Sequence, residues 1–302
     1  LDFEVQILGS NSAIAAHDRH PTCQIVRHGS RYFMIDCGEG SQFQMAKFKS
    51  KVFKIDHIFI SHLHGDHYFG LIGLITTLNL LGRNTPLHIY ASPLLKEILE
   101  IQLKAGDARR NYDIIYHDTA PIYTKIFEDE RLEIFTFPLK HRIDCTGFIF
   151  KEINNKRKIN SESLAGRHLS GLQYKALQDG EDVTLDDGMV LHNAIYTLPP
   201  LPHKRYAYCS DTIYDESIVQ YIDGVDMLYH EATFLHERVQ RATDTFHSTA
   251  LQAGQIASKA CAKKMLIGHF SSSYPSTEPF LQEAKTVFDN TYIAVEGNTY
   301  GV

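Results

Sequence analysis

Ser61-His62-Leu63-His64-Gly65-Asp66-His67 places three imidazoles and a carboxylate directly after the apolar run Ile58-Phe59-Ile60. These are donor types that borderline-soft transition metals accept, and the spacing lets His62 and His64 face one ion while Asp66 and His67 face a neighbour. The chemistry this predicts is a two-metal hydrolase. Histidines could also gather by chance in a chain holding 17 of them, but their density behind a buried-looking strand favours metal.

Two ions need more ligands than this loop supplies, so one further histidine per ion and a carboxylate between them are expected. His141 follows a predicted strand over 132–137, His269 follows one over 264–268, and Asp211 follows Arg205–Cys209. The structural alternative for Asp211 is to cap a helix near Asp215. Two divalent ions carry four positive charges; Asp66, Asp211 and a bridging hydroxide remove three if the histidines are neutral, as ligation requires. The remaining charge of about one suits an anionic phosphodiester, whose attacking and leaving oxygens a pair of ions about 3.5–4 Å apart can clamp. Such ions also lower the pKa of bound water towards about 7, which generates the nucleophile. The leaving oxygen needs a proton, and His247, outside the metal set, is the candidate acid, with Glu231 to orient and charge it. As alternatives, His247 caps a helix or sits on the surface, and Glu231 is a first-turn acid favoured by the helix dipole.

These residues need elements to hold them. Alternation predicts a strand at 3–9, and 23–28 and 31–37 read as two more, joined by a turn at His28-Gly29-Ser30-Arg31; a short helix over 42–48 and the strand 54–60 that delivers the histidine loop follow. A strongly apolar helix is expected over 67–81, a strand at 87–91, and a helix with Ser92 as N-cap and Pro93 in its first turn. Strand signals dominate 112–152. Residues 153–204 lack clear periodicity, carry the basic cluster Lys156-Arg157-Lys158 and the stiff Pro199-Pro200-Leu201-Pro202, and read as an inserted, protruding arm in an otherwise single domain over 1–302. Strands resume at 205–209, 226–229, 264–268 and 292–295, with helices from about Ser248 and over 277–288. Asp36, His62, His141, Asp211, His230 with Glu231, and His269 all fall at or beyond a predicted strand end. That is the pattern of a site on one rim of sheets. Two groups of strands, each followed by helices, imply two packed sheets with helices outside.

A hydrophobic fraction of 43% with 22% charged residues suits a globular enzyme with a sizeable core. No run is long and apolar enough to span a membrane, and the first residues lack the basic and apolar regions of a signal peptide. Five cysteines, Cys23, Cys37, Cys145, Cys209 and Cys261, form an odd set without a C-x-x-C pair, so they are expected to be reduced and the protein cytoplasmic. A net charge of -6 argues against indiscriminate polyanion binding, though bound ions would add local positive charge.

The loop resembles the H-x-H-x-D-H signature of the metallo-β-lactamase superfamily. The longer string His62-Leu63-His64-Gly65-Asp66-His67-Tyr68-Phe69-Gly70-Leu71 is similar to ribonuclease Z, the tRNA 3′ processing endonucleases. So are Asp36-Cys37-Gly38-Glu39-Gly40, Ser210-Asp211-Thr212, His230-Glu231-Ala232-Thr233 and His247-Ser248-Thr249, in that family's order over nearly the whole chain. The resemblance implies an α/β fold, the four-layer αββα sandwich. It implies two zinc ions, with manganese the alternative: one held by His62, His64 and His141, the other by Asp66, His67 and His269, with Asp211 bridging. The implied reaction cuts precursor tRNA just 3′ of the discriminator nucleotide by attack of a metal-bound hydroxide, leaving a 3′-hydroxyl on the tRNA and a 5′-phosphate on the trailer. Asp66 would assist water activation, and His247 with Glu231 would protonate the leaving oxygen. A homodimer is implied, one subunit's arm gripping tRNA at the other's site.

Two positions depart from the family pattern: Ile72 stands where a proline is common, and Gly171-Leu172-Gln173-Tyr174 replaces a Gly-Pro-containing arm. Lys156-Arg157-Lys158 is either a set of phosphate contacts there, adding to the salt dependence of binding, or a solvated loop. The rival readings are a binuclear hydrolase of small phosphodiesters, lactones or thioesters, and an inactive RNA-binding scaffold. The complete ligand set, with the Glu231 and His247 pair and the long arm, favours the nuclease.

Overall fold

The computed structural model describes residues 3–106, 110–153 and 156–302. Fourteen strands form two seven-stranded sheets. In order of hydrogen-bonded neighbours, one runs Thr299–Gly301, Phe3–Gly9, Cys23–His28, Arg31–Cys37, Ile55–Phe59, Leu87–Ala91 and Ile114–Asp118. The other runs Thr291–Ile293, Met265–Gly268, Met227–Glu231, Arg205–Cys209, Cys145–Glu152, Leu132–Leu139 and Thr124–Glu128.

Side-chain alternation explains the layering, because successive residues of a strand face opposite sides of its sheet. Ile58 packs in an aliphatic cluster with Leu71, Leu74, Ile75 and Leu78 of the helix Leu71–Leu80 and Leu95, Leu99 and Leu103 of Leu94–Ala105. Its neighbour Phe59 turns inward, where its ring meets Phe148 and Phe150 of the opposite sheet at 5.5 and 5.7 Å. Phe33 reaches Phe150 at 5.7 Å across the same layer. Outside the second sheet, Ala253, Ile256 and Ala257 of the helix Ala250–Lys259 and Phe280 and Ala284 of Glu278–Lys285 cover Ala207, Leu228 and Ile267. Each fully buried Phe or Leu contributes about 1.5–3 kcal/mol, so the three apolar layers hold both sheets rigidly under the site.

Several boundaries differ from expectation. The helix predicted over 67–81 is two pieces, Gly65–Tyr68 and Leu71–Leu80. It breaks at Gly70, whose N–H donates to Cys37 O at 2.9 Å and where a Cβ would meet Gly38 O at 2.2 Å. The helix expected from Ser248 starts at Ala250, with Thr249 as N-cap in a capping box with Gln252. Such a cap contributes about 1 kcal/mol. The strand Thr299–Gly301, paired antiparallel with Phe3–Gly9, was not expected from the pattern.

By internal contacts the chain divides into two compact units. One comprises the residues up to Phe127 with Ile134–Phe150 and Arg205–Val302, and the other comprises Glu128–Glu133 with Lys151–Lys204. The second unit has an apolar cluster of its own, Leu164, Leu177, Val183 and Leu191, between two short two-stranded sheets and the helix Gly171–Asp179. The residues noted for lacking a Gly-Pro turn are thus the first turn of a helix. Ser170 caps it, in a capping box with Gln173. Lys156 pairs with Asp179 at 3.1 Å and Arg157 Nε donates to Thr197 Oγ1 at 2.7 Å, so two cations of the basic cluster have partners inside this unit.

Candidate metal centre

Parallel pairing places Cys209 beside His230 and Glu231 beside Gly268, so the residues just beyond Arg205–Cys209, Met227–Glu231 and Met265–Gly268 emerge together. From the other sheet, Ile55–Phe59 delivers Ser61 to His67 to the same rim. Ser61 Oγ lies 2.9 Å from Ser210 Oγ, and Thr146 N donates to Ser61 O at 3.0 Å, which ties the loops of the two sheets together.

Seven side chains converge there in two groups. In the first, His64 Nδ1 lies 3.1 Å from His62 Nε2 and 3.0 Å from His141 Nε2, and Asp211 Oδ2 lies 3.5 and 3.7 Å from His62 and His141. In the second, Asp66 Oδ2 lies 3.5 Å from His67 Nε2 and 3.4 Å from His269 Nε2, and Asp211 Oδ1 is 3.4 and 3.2 Å from the same nitrogens. Asp211 therefore gives one oxygen to each group. Ligands about 2.0–2.1 Å from a tetrahedral ion lie roughly 3.3 Å from one another, close to these edges. His67 Nε2 and Asp211 Oδ1 are moreover buried without any hydrogen bond, as a missing cation would leave them. The donor set fits a pair of divalent ions.

The far side of each ring explains its aim. His67 Nδ1 donates to Asp36 Oδ2 at 2.8 Å, His141 Nδ1 to Phe246 O at 2.9 Å, and His269 Nδ1 to Thr233 Oγ1 at 2.9 Å. Each bond fixes the tautomer that leaves Nε2 as a lone pair towards the centre. Asp36 also accepts from Ser61 N at 2.7 Å, Ser61 Oγ at 2.9 Å and Tyr208 OH at 2.7 Å, so one carboxylate joins both sheets and the loop. Ala13, Asp36, Phe246 and His269 all carry φ between 56° and 61°, a left-handed conformation costing non-glycine residues about 1–3 kcal/mol each. Asp36→Asn is expected to keep the fold but lower metal affinity about 10–100-fold, read by competition with a coloured chelator. Unchanged affinity would remove Asp36 from the account.

The second carboxylate hub is Glu231, fully buried at the end of its strand and not in a helix. Its Oε1 accepts from His247 Nδ1 at 2.9 Å, Ser248 N at 2.9 Å and Thr212 N at 3.2 Å; its Oε2 accepts from Thr233 N at 2.9 Å and Thr233 Oγ1 at 2.7 Å. Burial alone would lower the pKa of His247, but Glu231, with Asp211 and Asp66 behind it, outweighs this and pushes it up to about 9. Glu231 is held below the usual carboxylate range: burial raises it, and His247 more than reverses that. Asp66 is likewise kept ionised, burial being overcome by His67 and His269, and its Oδ2 accepts from Ala13 N at 2.8 Å.

The helix-cap alternatives do not hold. Asp215 caps its own helix by accepting from Ser217 N, and Thr249 caps the helix after His247. His230, considered beside Glu231, faces the other way along the strand; it is buried, and its Nδ1 donates to Glu231 O at 2.7 Å. Thr233, which residue type alone does not mark as a site residue, stands at the end of His230-Glu231-Ala232-Thr233. Its hydroxyl joins Glu231 to His269, 36 residues further along the chain from Thr233. Over both groups opens a cavity of about 580 Å³, lined among others by His64, Asp66, His141, Asp211, His247 and His269.

Residues 3–163 match the family model described as Anti-Pycsar protein Apyc1, a stretch that holds the histidine loop and His141 but not Asp211, Glu231, His247 or His269. A protein named Ribonuclease Z from Cytophaga hutchinsonii is 46% identical, with 100% of this chain and 97% of the relative covered. Among solved structures, the short form of human tRNase Z superposes with a TM-score of 0.71 at 22% identity, covering 99% of each chain. The metallo-β-lactamase fold protein YhfI from Bacillus subtilis gives 0.70 at 19%, covering 99% of each, so the fold is that of the metallo-β-lactamases. Residues 3–163 thus belong to the family which that model describes, and over its full length the chain belongs to the ribonuclease Z family.

Proposed function

We propose that this chain is a zinc-dependent endoribonuclease that cuts precursor tRNA 3′ of the discriminator nucleotide, leaving a 3′-hydroxyl on the tRNA and a 5′-phosphate on the trailer. The observation that carries the reading is Asp211 split between two ligand groups in the cavity that also holds the Glu231–His247 pair. His62, His64 and His141 with Asp211 Oδ2 would hold one ion, and Asp66, His67 and His269 with Asp211 Oδ1 the other. Zinc suits this nitrogen-rich set, with manganese as the alternative. Bound there, the ions supply Lewis acidity at the phosphate and an activated water.

The chain's own residues do the remaining work. Asp66, kept as a carboxylate, takes the proton of the attacking water. His247, whose Nδ1 is committed to Glu231, keeps Nε2–H for the departing 3′ oxygen, and its raised pKa keeps that proton in place at neutral pH. Thr233 holds the Glu231 carboxylate and the His269 ring in one register.

The second compact unit, residues 128–133 and 151–204, is assigned to gripping the tRNA. Among the described residues Lys156 and Arg157 have partners inside the unit, and the exposed Lys158 of the same cluster is assigned to a phosphate. In this reading the protein is a homodimer, one subunit's unit serving the partner's site, and it works in the cytoplasm. The five cysteines, all free, suit that compartment, and among the described residues no helix is long and apolar enough to cross a membrane.

Chelation is expected to abolish cleavage of a 3′-trailer tRNA, and zinc to restore it. A protein that regains hydrolysis of bis(p-nitrophenyl) phosphate with zinc but leaves the precursor intact would be a small-phosphodiester hydrolase instead. Restoration should also weaken as pH falls, because protons compete with the ions for the imidazoles.

A further inference from the structure

Two large apolar side chains stand at the wall of the cavity that holds the ligand groups. Phe69 and Ile14 both line it, and each is 59% exposed. Single exposed apolar side chains are common on protein surfaces, and what sets these two apart is their place in the wall of the cavity that holds the ligand groups.

Both are held in place rather than loose. Phe69 ends the short helix that carries Asp66 and His67, and its N–H donates to Gly65 O at 2.9 Å. One side of its ring lies on the Gly65 backbone so closely that a Cβ at Gly65 would meet ring atoms at 2.2–2.6 Å, and the Tyr68 ring meets it edge-on at 5.0 Å. Ile14 belongs to a loop pinned by Ala13 N to Asp66 Oδ2, by Ser12 N to Phe270 O and by the buried Asn11, whose Nδ2 donates to Ile14 O at 2.6 Å. Phe69 follows Asp66 by three residues on this turn, and both line the same cavity.

We infer that Phe69 is a stacking platform for a nucleobase next to the scissile phosphate, with Ile14 as a second apolar contact in the same cavity. The inference rests on the nuclease reading and adds to it a base-binding subsite. A flat apolar π-face fits any of the four bases, so the subsite contributes affinity and alignment without choosing sequence. Aromatic platforms of this kind contribute about 5- to 150-fold per base on removal of the ring.

The test pairs protein and RNA changes. Precursor tRNAs carry an abasic residue either at the discriminator, 5′ of the cut, or at the first trailer nucleotide, 3′ of it. Phe69→Ala should lower kcat/KM on the intact precursor about 5- to 150-fold while keeping its metal content, and Phe69→Tyr should behave as wild type. On one abasic precursor the wild type should already have lost that factor and Phe69→Ala should add nothing, which identifies the stacked base. A full penalty for Phe69→Ala on both abasic substrates would overturn the inference. So would loss of ions in that variant, which would make the ring a support for Asp66. Failure of the nuclease reading shows differently, as an intact precursor with wild type. The subsite is then read by binding of the same RNA with 2-aminopurine at each position, where quenching lost in Phe69→Ala supports it and equal signals in both proteins refute it.

Discussion

Asp211→Ala is expected to lose both ions and to reduce turnover of any phosphodiester by at least about 10⁴-fold, the several kcal/mol that two-metal stabilisation supplies. The reason is geometric. Its Oδ1 and Oδ2 approach the nitrogens of different ligand groups, at 3.2–3.4 Å and 3.5–3.7 Å, so one truncation removes a ligand from each. It also leaves His67, fully buried, without the carboxylate that does most to offset its burial. Metal content by atomic emission, with circular dichroism as the control for folding, is the measurement. Asp211→Asn, which keeps the shape and one oxygen, should retain at most one ion with reduced affinity. A variant that kept both ions would show that Asp211 does not join the groups.

His247→Ala is expected to behave in the opposite way: two ions retained, and kcat on precursor tRNA lowered about 10²–10⁴-fold, the usual range for a general acid. A leaving group that departs without a proton should bypass the defect, so hydrolysis of bis(p-nitrophenyl) phosphate should suffer much less. The pH profile carries a sign. With its pKa at about 9, His247 is protonated and competent below that value, and the rate falls as pH rises through it. Glu231→Gln removes the main upward influence on that pKa, so the basic limb should move to lower pH. Since a His247 nitrogen also lies within ligand reach of Asp211 and His269, metal loss equal to that of Asp211→Ala would make it a ligand and end its role as acid.

The sandwich was legible because its strands are short, mostly buried apolar runs bounded by turn residues: Phe3–Gly9, Cys23–His28, Arg31–Cys37 and Arg205–Cys209 stand at their expected bounds. The helix Gly171–Asp179 was not, since its mean polarity and lack of a clean apolar stripe hid it. The Ser170 and Gln173 of its capping box were nonetheless present as a start signal. For the site, residue types and strand ends pointed to His62, His64, Asp66 and His67, and to the search for His141, Asp211 and His269. Which ion His141 and His269 each join came from family resemblance, because spacing cannot say how loops of two sheets meet. Equally hidden were the supports, Asp36 behind His67 and Thr233 between Glu231 and His269. A hydrogen bond between residues 31 or 36 positions apart leaves no periodic trace.

The central claim, that this metal centre cuts precursor tRNA at one bond, is tested most directly by end-mapping the products from one defined precursor incubated with the zinc-loaded protein. The expected products are a tRNA ending in the 3′-hydroxyl of its discriminator nucleotide and a trailer beginning with a 5′-phosphate. Cleavage at scattered positions, a 3′-phosphate on the tRNA, or an intact precursor beside rapid hydrolysis of bis(p-nitrophenyl) phosphate would contradict it.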